Sequence, residues 1–281
     1  MLSALSIDHV SKTYPGRAGQ KVVAVSDASF EAQQGEFFAL LGPSGCGKST
    51  LLSMIAGLDT PDTGTVRLGD QEVTAPSDDV ALMFQDPVLL PWKTSMDNVL
   101  LPRLARSWSR PSRHEKAAAQ EALDSVGLGD FVHSYPWELS GGMQRRVSLA
   151  RIIYQNTGVL LMDEPFSSLD EFTRFGLNVL LRRLVKAAGQ TVVLVTHNVE
   201  EAVLLANRIG IMSPRPGHLE QVIHVDLPGK RDEETMTSDA FGEAVRTVRQ
   251  VMNQIHSAPD ISGGAAAHRG GSVLSRLRDN Q

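Results

Sequence analysis

The chain has 281 residues, of which 42% are hydrophobic, and it carries a formal net charge of −5. This length allows a sizeable core, arranged as one domain with an insertion or as two closely joined domains. Proteins that bind nucleic acid usually present a basic surface, so the acidic balance argues mildly against that class of function.

Cysteine content and hydropathy bound the cellular setting. Cys46 is the single cysteine, which excludes an internal disulfide and is typical of a reducing cytosol. No apolar run approaches the ~20 residues needed to span a bilayer, and the N-terminus lacks the regions of a signal peptide. We therefore expect that, if the protein works at a membrane, it docks on another protein that spans it.

The first predicted elements are strands that lead into a glycine-rich loop. Residues 3–10 and 21–31 contain alternating and β-branched stretches that predict antiparallel strands, joined by a turn at 14–16. The apolar run at 36–41 predicts a buried strand, and residues 48–56 predict a helix. Strand, glycine-rich loop and helix in that order form the context that a phosphate-binding loop requires.

The rest of the chain alternates helices and strands after an irregular segment at 86–110, which contains several prolines. Helices are predicted at 113–126, 141–155, 171–187 and 200–206, and strands at 159–162 and 191–195. This alternation predicts an α/β fold with a mostly parallel sheet covered on both faces, and a helical insertion at about 87–157.

The C-terminal part is predicted to hold one more helix and a tail. An apolar stripe within residues 238–256 predicts a helix that packs on the core, which we favour over a partner-binding helix. Residues 257–281 are rich in Gly, Ala and Ser and are predicted to be disordered. The chain is thus predicted to form one domain over residues 1–256, followed by a disordered tail.

Residues 42–49 follow the pattern G-x-x-x-x-G-K-S of a phosphate-binding loop. Its glycines let backbone N–H groups turn toward phosphate oxygens, Lys48 supplies charge to the β- and γ-phosphates, and Ser49 offers a hydroxyl to Mg²⁺. A tight glycine turn before a helix is the structural alternative, and the complete pattern favours the phosphate site. The predicted nucleotide contacts are Gly42, Pro43, Ser44, Gly45, Cys46, Gly47, Lys48, Ser49 and Thr50.

Two carboxylates, Asp163 and Glu164, end the apolar strand predicted at 159–162. A carboxylate at such a position is costly unless it meets a cation or a polar cleft, and nucleotide-bound Mg²⁺ is such a cation for Asp163. Glu164 is suited to orient and activate a water for attack on the γ-phosphate. The alternative is an acidic pair exposed to water, a common arrangement, so the weight of this pair depends on the phosphate loop.

Residues 139–146 read Leu-Ser-Gly-Gly-Met-Gln-Arg-Arg and begin the helix predicted at 141–155. A helix start exposes free N–H groups and favours anions, and the alternative interpretation is an N-cap with two flexible glycines. Together with the phosphate loop and the strand-end carboxylates, this stretch resembles the signature of the nucleotide-binding subunit of ABC transporters. The resemblance covers most of the chain and makes Ser140, Gly141 and Gly142 contacts to the nucleotide of a second subunit.

The same resemblance assigns roles to four further residues. Tyr14 corresponds to the aromatic residue that stacks on adenine, and Gln85 to the Q-loop glutamine that senses Mg²⁺ and the γ-phosphate. Asp170 lies in the D-loop, which crosses the dimer interface, and His197 corresponds to the H-loop histidine that contacts the γ-phosphate. Each would be unremarkable alone, as a turn tyrosine or a structural histidine, so their weight comes from the set.

The resemblance implies a P-loop NTPase (RecA-like) core with an N-terminal antiparallel β-subdomain and an inserted α-helical subdomain. It implies ATP and Mg²⁺ as ligands, an ATP-sandwich dimer with a second copy of the chain, and integral membrane permease subunits as partners. A solute-binding protein would take part indirectly, nucleic acid would not, and the subunit would lie on the cytoplasmic face of the cell membrane.

Residues 89–99 and 135–140 resemble the ATPases of the nitrate, sulfonate, taurine and bicarbonate import group. Val88, Leu89, Leu90 and Trp92 either form an apolar edge for a membrane subunit or pack within the helical insertion, and both interpretations stay open. Met143 and Asn198 depart from the residues most usual in the family, but neither removes a phosphate or metal contact.

Two other functions compete with an importer ATPase. A soluble ABC protein acting on nucleic acid or ribosomes usually has two cassettes or a coiled coil, and this chain shows neither. A non-catalytic cassette that uses ATP as a switch is disfavoured because Glu164 and His197 are both present.

Overall fold

The computed structural model describes residues 5–16, 19–107 and 109–257, without the side chains of residues 256 and 257. The disorder predicted for the tail stays a prediction, because residues 258–281 lie outside the described ranges. Residues 3 and 4 of the first predicted strand also lie outside them.

The strands of the described ranges form two sheets. They are β1 (Leu5–Pro15), β2 (Lys21–Ala32), β3 (Phe37–Leu41), β4 (Thr63–Leu68), β5 (Gln71–Glu72), β6 (Val80–Met83), β7 (Val159–Asp163), β8 (Thr191–Thr196), β9 (Arg208–Met212) and β10 (Leu219–His224). One sheet has the order β2-β1-β4-β5 and is antiparallel, and the other has the order β10-β9-β3-β8-β7-β6. In the larger sheet every neighbouring pair is parallel except β10 with β9.

The helices of the described ranges cover this sheet and extend from it. They are α1 (Lys48–Ile55), α2 (Ser95–Val99), α3 (Leu101–Arg106), α4 (Arg113–Ser125), α5 (Gly141–Gln155), α6 (Glu171–Ala188), α7 (Val199–Leu205), α8 (Glu233–Met236) and α9 (Asp239–Ser257). No helix in these ranges combines the length and the apolarity that crossing a bilayer requires.

The larger sheet is buried on both faces because its central strands are apolar throughout. All five residues of β3 and all six of β8 are buried. Along β3, Phe37, Ala39 and Leu41 belong to one apolar cluster, whereas Phe38 and Leu40 belong to another on the opposite face. The structure therefore shows the predicted α/β arrangement with a mostly parallel sheet and a separate antiparallel sheet near the N-terminus.

The topology places the predicted site residues at one edge. Strands β3, β7 and β8 are parallel neighbours, so their carboxyl ends meet at the same side of the sheet. The phosphate loop follows β3, Glu164 follows β7, and His197 follows β8. Open parallel sheets bind ligands at this edge.

Every described element between β6 and β7 is helical, as the helical insertion requires. The prediction that residues 86–110 are irregular is wrong for α2 and α3. Thr94 caps α2 by accepting a hydrogen bond from the Asp97 N–H, and Pro102 lies in the first turn of α3, where a missing N–H breaks no helical bond.

The turn predicted at residues 14–16 is also misplaced. Tyr14 lies within β1, where it pairs with Val22 of β2, and the hairpin closes only beyond it. The Gly16 N–H donates to the Gln20 carbonyl at 2.6 Å. Proline and glycine signalled a turn correctly, but strand pairing continues up to Pro15.

The C-terminal helix α9 packs on the core through its apolar stripe. Phe241, Val245 and Val248 are buried in the larger apolar cluster, although Ala240 at the start of the stripe is exposed. This contact accounts for the stripe without a partner helix.

Candidate active site

The phosphate loop joins β3 to α1 in a conformation that only glycine adopts readily. Gly45 and Gly47 have φ of 78° and 97°, and Gly47 is the N-cap of α1. A Cβ at Gly47 would lie 2.5 Å from the Ala24 carbonyl oxygen, so the loop also needs glycine to fit against β2.

Lys48 is held at the base of this loop. Its Nζ donates to the carbonyl oxygens of Gly42 and Pro43, each at 2.8 Å, and lies 3.7 Å from the Cys46 Sγ. The side chain is only 6% exposed, yet no described carboxylate pairs with it. A buried ammonium that is bound by neutral oxygens alone favours an anionic ligand.

The predicted loop contacts separate into two groups. One group lines a cleft, and it consists of Ser44, Gly45, Gly47, Lys48, Ser49 and Thr50. The other group, Gly42, Pro43 and Cys46, does not line the cleft but surrounds the Lys48 ammonium. The Cys46 thiol is 1% exposed and belongs to an apolar cluster, so it does not face a ligand in the cleft.

Asp163 lies at the end of β7 beside the start of α1. Burial raises the pKa of its carboxyl, and the charge of Glu164 acts in the same direction, whereas a hydrogen bond from Ser49 and the charge of Lys48 lower it. A half-buried carboxylate next to a hydroxyl is an oxygen donor pair that suits Mg²⁺, and a cation there would offset the cost of burial.

Glu164 lines the same cleft and contacts His197. The distance between Glu164 Oε2 and His197 Nδ1 is 3.0 Å, and the Glu164 side chain is the more buried of the two. Glu164 has φ of 44°, a left-handed backbone that is unfavourable for a residue with a Cβ. Its N–H donates to the Val195 carbonyl at 2.9 Å, which fixes this conformation against β8.

Gln85 joins the same group of residues through Ser167, which lies in the stretch 167–170 that resembles the D-loop. Its Nε2 donates to the Ser167 Oγ at 3.2 Å, and that hydroxyl donates to the Glu164 carbonyl oxygen at 3.2 Å. Gln85, Glu164 and His197 are therefore linked in one chain of contacts across the ends of β6, β7 and β8.

Tyr14 lines the other end of the cleft. Its hydroxyl donates to Asp59 Oδ2 at 2.6 Å, and the Lys12 Nζ lies 5.5 Å from the centre of the ring. Burial raises the pKa of the Tyr14 hydroxyl, and the hydrogen bond to Asp59 acts in the same direction. The ring is thus fixed at its polar end, with its position in β1 set by the pairing with β2.

The signature residues lie apart from this cleft, at the start of α5. The Ser140 Oγ accepts from the Met143 N–H at 3.3 Å, and neither Ser140, Gly141 nor Gly142 lines the cleft. A Cβ at Gly141 would meet no described atom within 4 Å, whereas one at Gly142 would lie 3.3 Å from Thr173 on α6. The signature is therefore an open surface within one chain.

Asp170, like Ser140, is a helix N-cap whose side-chain oxygen accepts a backbone hydrogen bond. It is the N-cap of α6, and its Oδ1 accepts from the Thr173 N–H at 3.0 Å. That backbone hydrogen bond lowers the pKa of the Asp170 carboxyl. Asp170 is exposed and does not line the cleft either.

Comparisons with known proteins show the family to which this chain belongs. A family profile described as ABC transporter matches residues 25–167, which is about half of the chain. The chain belongs to the ABC transporter family. It is an ABC ATPase, and the predicted fold and family are confirmed.

Two curated relatives show which ABC proteins the chain resembles. It is 42% identical over 79% of its length to the taurine import ATP-binding protein TauB of Chromobacterium violaceum, covering 83% of that protein. It is 39% identical over 88% of its length to the aliphatic sulfonates import ATP-binding protein SsuB of Bacillus cereus, covering 94% of that protein.

A solved ABC cassette has the same fold. It is a dimer in a post-hydrolysis state bound to ADP and Pi, and it is 31% identical to this chain with a TM-score of 0.69. The match covers 80% of this chain and 100% of the cassette.

The structure gives contacts for two residues to which the sequence patterns assigned no role, Asn198 and Arg215. Asn198, which departs from the usual family residue, is the N-cap of α7, and its Oδ1 accepts from the Glu201 N–H at 2.9 Å. Arg215 lines the cleft although it belongs to no motif of the sequence analysis. Arg215 follows the end of β9 and reaches the phosphate loop only because β9 pairs with β3. No local sequence pattern records that pairing.

Proposed function

We propose that this ABC ATPase binds and hydrolyses ATP to energise uptake of a small sulfonate or related oxyanion through separate membrane subunits. The observation that supports this most is a single cleft shared by Lys48, Ser49 and Glu164, in a chain that matches import ATPases over most of their length. The names of these relatives concern taurine and aliphatic sulfonates, which share a tetrahedral sulfonate group.

The cleft is proposed to hold ATP with its adenine at Tyr14 and its phosphates at α1. The tyrosine ring supplies a stacking surface, and the loop N–H groups and the Lys48 ammonium supply charge and hydrogen bonds to the phosphates. The proposed role of three loop residues is indirect: they shape the loop and hold Lys48 rather than contact the nucleotide. These residues are Gly42, Pro43 and Cys46.

Ser49, Asp163 and Gln85 would hold Mg²⁺ at the phosphate end of the cleft. The ion would neutralise charge on the terminal phosphates. A hydrogen bond from Ser49 lowers the pKa of the Asp163 carboxyl, so the hydroxyl and the carboxyl are neighbours. The Gln85 amide donates to Ser167 through its nitrogen, which leaves its oxygen as the ligand atom for a metal.

Glu164 is proposed as the group that orients and deprotonates the attacking water. Its carboxylate lines the cleft, and the contact with His197 fixes its direction. His197 and Gln85 are both linked to Glu164 and are proposed to contact the transferred γ-phosphate and the water. The protein thus contributes position and charge, which phosphoryl transfer chiefly requires.

Ser140, Gly141, Gly142 and Asp170 are proposed to act on the nucleotide held by a second copy of the chain. They are absent from the lining of the cleft in their own subunit, and a similar cassette is known as a dimer. An exposed helix start and an exposed D-loop residue then complete the site across the interface, in a dimer that sandwiches two ATP molecules.

The permease subunits are proposed to dock beside the helical insertion. Val88 and Trp92 are 53% and 67% exposed and thus available to a membrane subunit, whereas Leu89 packs against the core. Trp137 is exposed as well and stacks on Tyr135 with ring centres 4.6 Å apart. The subunit would then lie on the cytoplasmic face of the membrane, with a solute-binding protein acting on the far side.

Reconstitution tests this function. The subunit would be placed in proteoliposomes with the membrane subunits encoded beside it, and ATP-dependent uptake of taurine, an alkanesulfonate, nitrate and bicarbonate would be measured. We expect uptake of one of these anions, and its loss in Lys48→Ala. ATP turnover that responds to RNA or ribosomes and to no membrane subunit would support the alternative function. Absence of turnover with intact ATP binding would support the switch.

A further inference from the structure

Arg215 is a cation at the nucleotide cleft that no motif accounts for. The loop that carries it follows β9, and β9 is the parallel neighbour of β3, which leads into the phosphate loop. Arg215 lines the cleft together with Gly45 and Lys48. A Cβ built on Gly45 would lie 3.9 Å from the Arg215 Nη2, so the guanidinium lies beside the phosphate loop.

The loop 213–218 is packed directly on the phosphate loop. A Cβ at Gly217 would lie 1.7 Å from the Cys46 carbonyl oxygen, so this position needs glycine for the close approach. The Gly217 N–H donates to the Ala24 carbonyl at 3.1 Å, and the Ser26 N–H donates to the Gly217 carbonyl at 2.8 Å. Loop 213–218 and the phosphate loop therefore share β2 as a support.

Internal hydrogen bonds hold the shape of this loop. The Ser213 N–H donates to the His218 carbonyl at 3.0 Å, and the Ser213 Oγ lies 2.8 Å from the His218 Nδ1 and donates to the Pro216 carbonyl at 3.0 Å. Arg215 lies within this closed loop, so its backbone position is set before any ligand binds.

The guanidinium itself has no partner in the described part of the chain. Arg215 is exposed, and neither a hydrogen bond nor an ion pair connects it to another described residue. Glu164, the carboxylate lining the cleft, is in contact with His197. An unpaired guanidinium beside a phosphate loop is free to form a bidentate contact with a phosphate group.

From these observations we infer that Arg215 is a nucleotide-binding residue whose guanidinium contacts the phosphates beyond the α-phosphate, adding to Lys48. This inference rests on the proposed function. It predicts that Arg215 discriminates di- and triphosphates from monophosphates, because only the former carry phosphate groups beyond the α-phosphate.

The test is equilibrium binding of ADP and AMP to the isolated full-length subunit by calorimetry, at low and high salt. We expect Arg215→Gln to weaken ADP binding about tenfold, with a smaller effect for Arg215→Lys and little change for AMP. The salt dependence of ADP affinity should also become shallower, since one charge contact is lost. Arg246→Gln, which removes an exposed arginine of α9 that does not line the cleft, is the matched control.

Three outcomes would overturn the inference. In the first, Arg215→Gln binds ADP as tightly as the wild type, whereas Lys48→Ala abolishes binding in the same assay. That result would exclude Arg215 from the site and leave the proposed function intact. Unchanged ADP affinity with weakened ATP-dependent dimerisation would instead place Arg215 at the subunit interface. Equal losses for ADP and AMP would show a general distortion of the loop. If the unmodified subunit bound no ADP, the proposed function itself would fail.

Discussion

The phosphate-loop half of the site and the signature half are built in opposite ways. Lys48 is 6% exposed and is held by two carbonyl oxygens before any ligand arrives. Ser140 and Gly141 are exposed, and a side chain at Gly141 would meet no described atom within 4 Å. In the proposed function, the phosphate-loop half (the finished half) binds nucleotide within one chain, whereas the signature half meets a nucleotide held by a second copy of the chain. We therefore expect the first half to control affinity in the monomer and the second to control turnover in the dimer.

The largest effect should come from removing the proposed base in the finished half. Glu164→Gln keeps the shape of the side chain and its place in the cleft, so ATP binding should persist. Hydrolysis should fall by about two to four orders of magnitude, the usual contribution of a positioned base. Single-turnover and steady-state ATPase assays measure this, with ADP affinity as the control for an intact cleft. Near-normal turnover would exclude Glu164 from the role.

A smaller effect, of a different kind, is expected in the signature half. Ser140→Arg should reduce ATP turnover by about tenfold to a hundredfold, because a bulky cation replaces a small donor at an anion site, while monomer ADP affinity should stay within about twofold. Ser140→Asn is the matched control, since asparagine also accepts the Met143 N–H as an N-cap. Cooperative hydrolysis that survives in Ser140→Arg would contradict the division between the two halves.

We expect Glu201, which is hydrogen-bonded to the residue before His197, to make the free energy of unfolding depend on pH. Glu201 is buried and accepts this hydrogen bond from Thr196. Burial raises the pKa of the Glu201 carboxyl above its ordinary value of 4.5. The folded protein thus holds a proton that the unfolded chain releases above pH 4.5, and stability falls as pH rises through the folded pKa.

Glu201→Gln removes this titration. Below pH 4.5 the two proteins should have similar free energies of unfolding, and above it the wild type should lose stability relative to the variant by up to about 1.4 kcal/mol per pH unit. Urea unfolding at a series of pH values measures the difference. A variant that is less stable than the wild type at neutral pH would show that the ionised carboxylate is bound in the folded state.

The smallest effect is expected at the surface of the helical insertion that carries the signature. A hydrogen bond from Arg103 lowers the pKa of Glu115 to about 2. Its contribution to stability is present above the ordinary value of 4.5 and is lost as pH falls toward the folded pKa. Glu115→Gln should slightly lower the melting temperature at pH 7, and the difference should shrink in acid. Any effect on ADP affinity would contradict the separation of the two halves.

The sequence allowed the finished half to be predicted in more detail than the surface around it. Lys48 and Ser49 follow directly from a strand, a loop and a helix in order, and such local patterns are visible in a sequence. Asp163 was predicted as the end of an apolar strand, and the parallel sheet brings that strand end to the same side as the phosphate loop. The family resemblance added Gln85 and His197, which join Glu164 only through the sheet. Turn chemistry misplaced the first hairpin, since strand pairing between β1 and β2 continues past Tyr14. Arg215 was missed because its contact depends on β9 lying beside β3, and no spacing in the chain records that neighbourhood.

The backbone of Glu164 has a consequence for engineering this protein. A left-handed φ of 44° at a residue with a Cβ costs of order 1–2 kcal/mol, which glycine or asparagine at the same position would largely relieve. Libraries screened only for thermal resistance should therefore enrich Glu164→Gly and Glu164→Asn, and if Glu164 is the base we expect these variants to hydrolyse ATP far more slowly. Selection for thermal stability and selection for ATP hydrolysis therefore favour different residues at position 164.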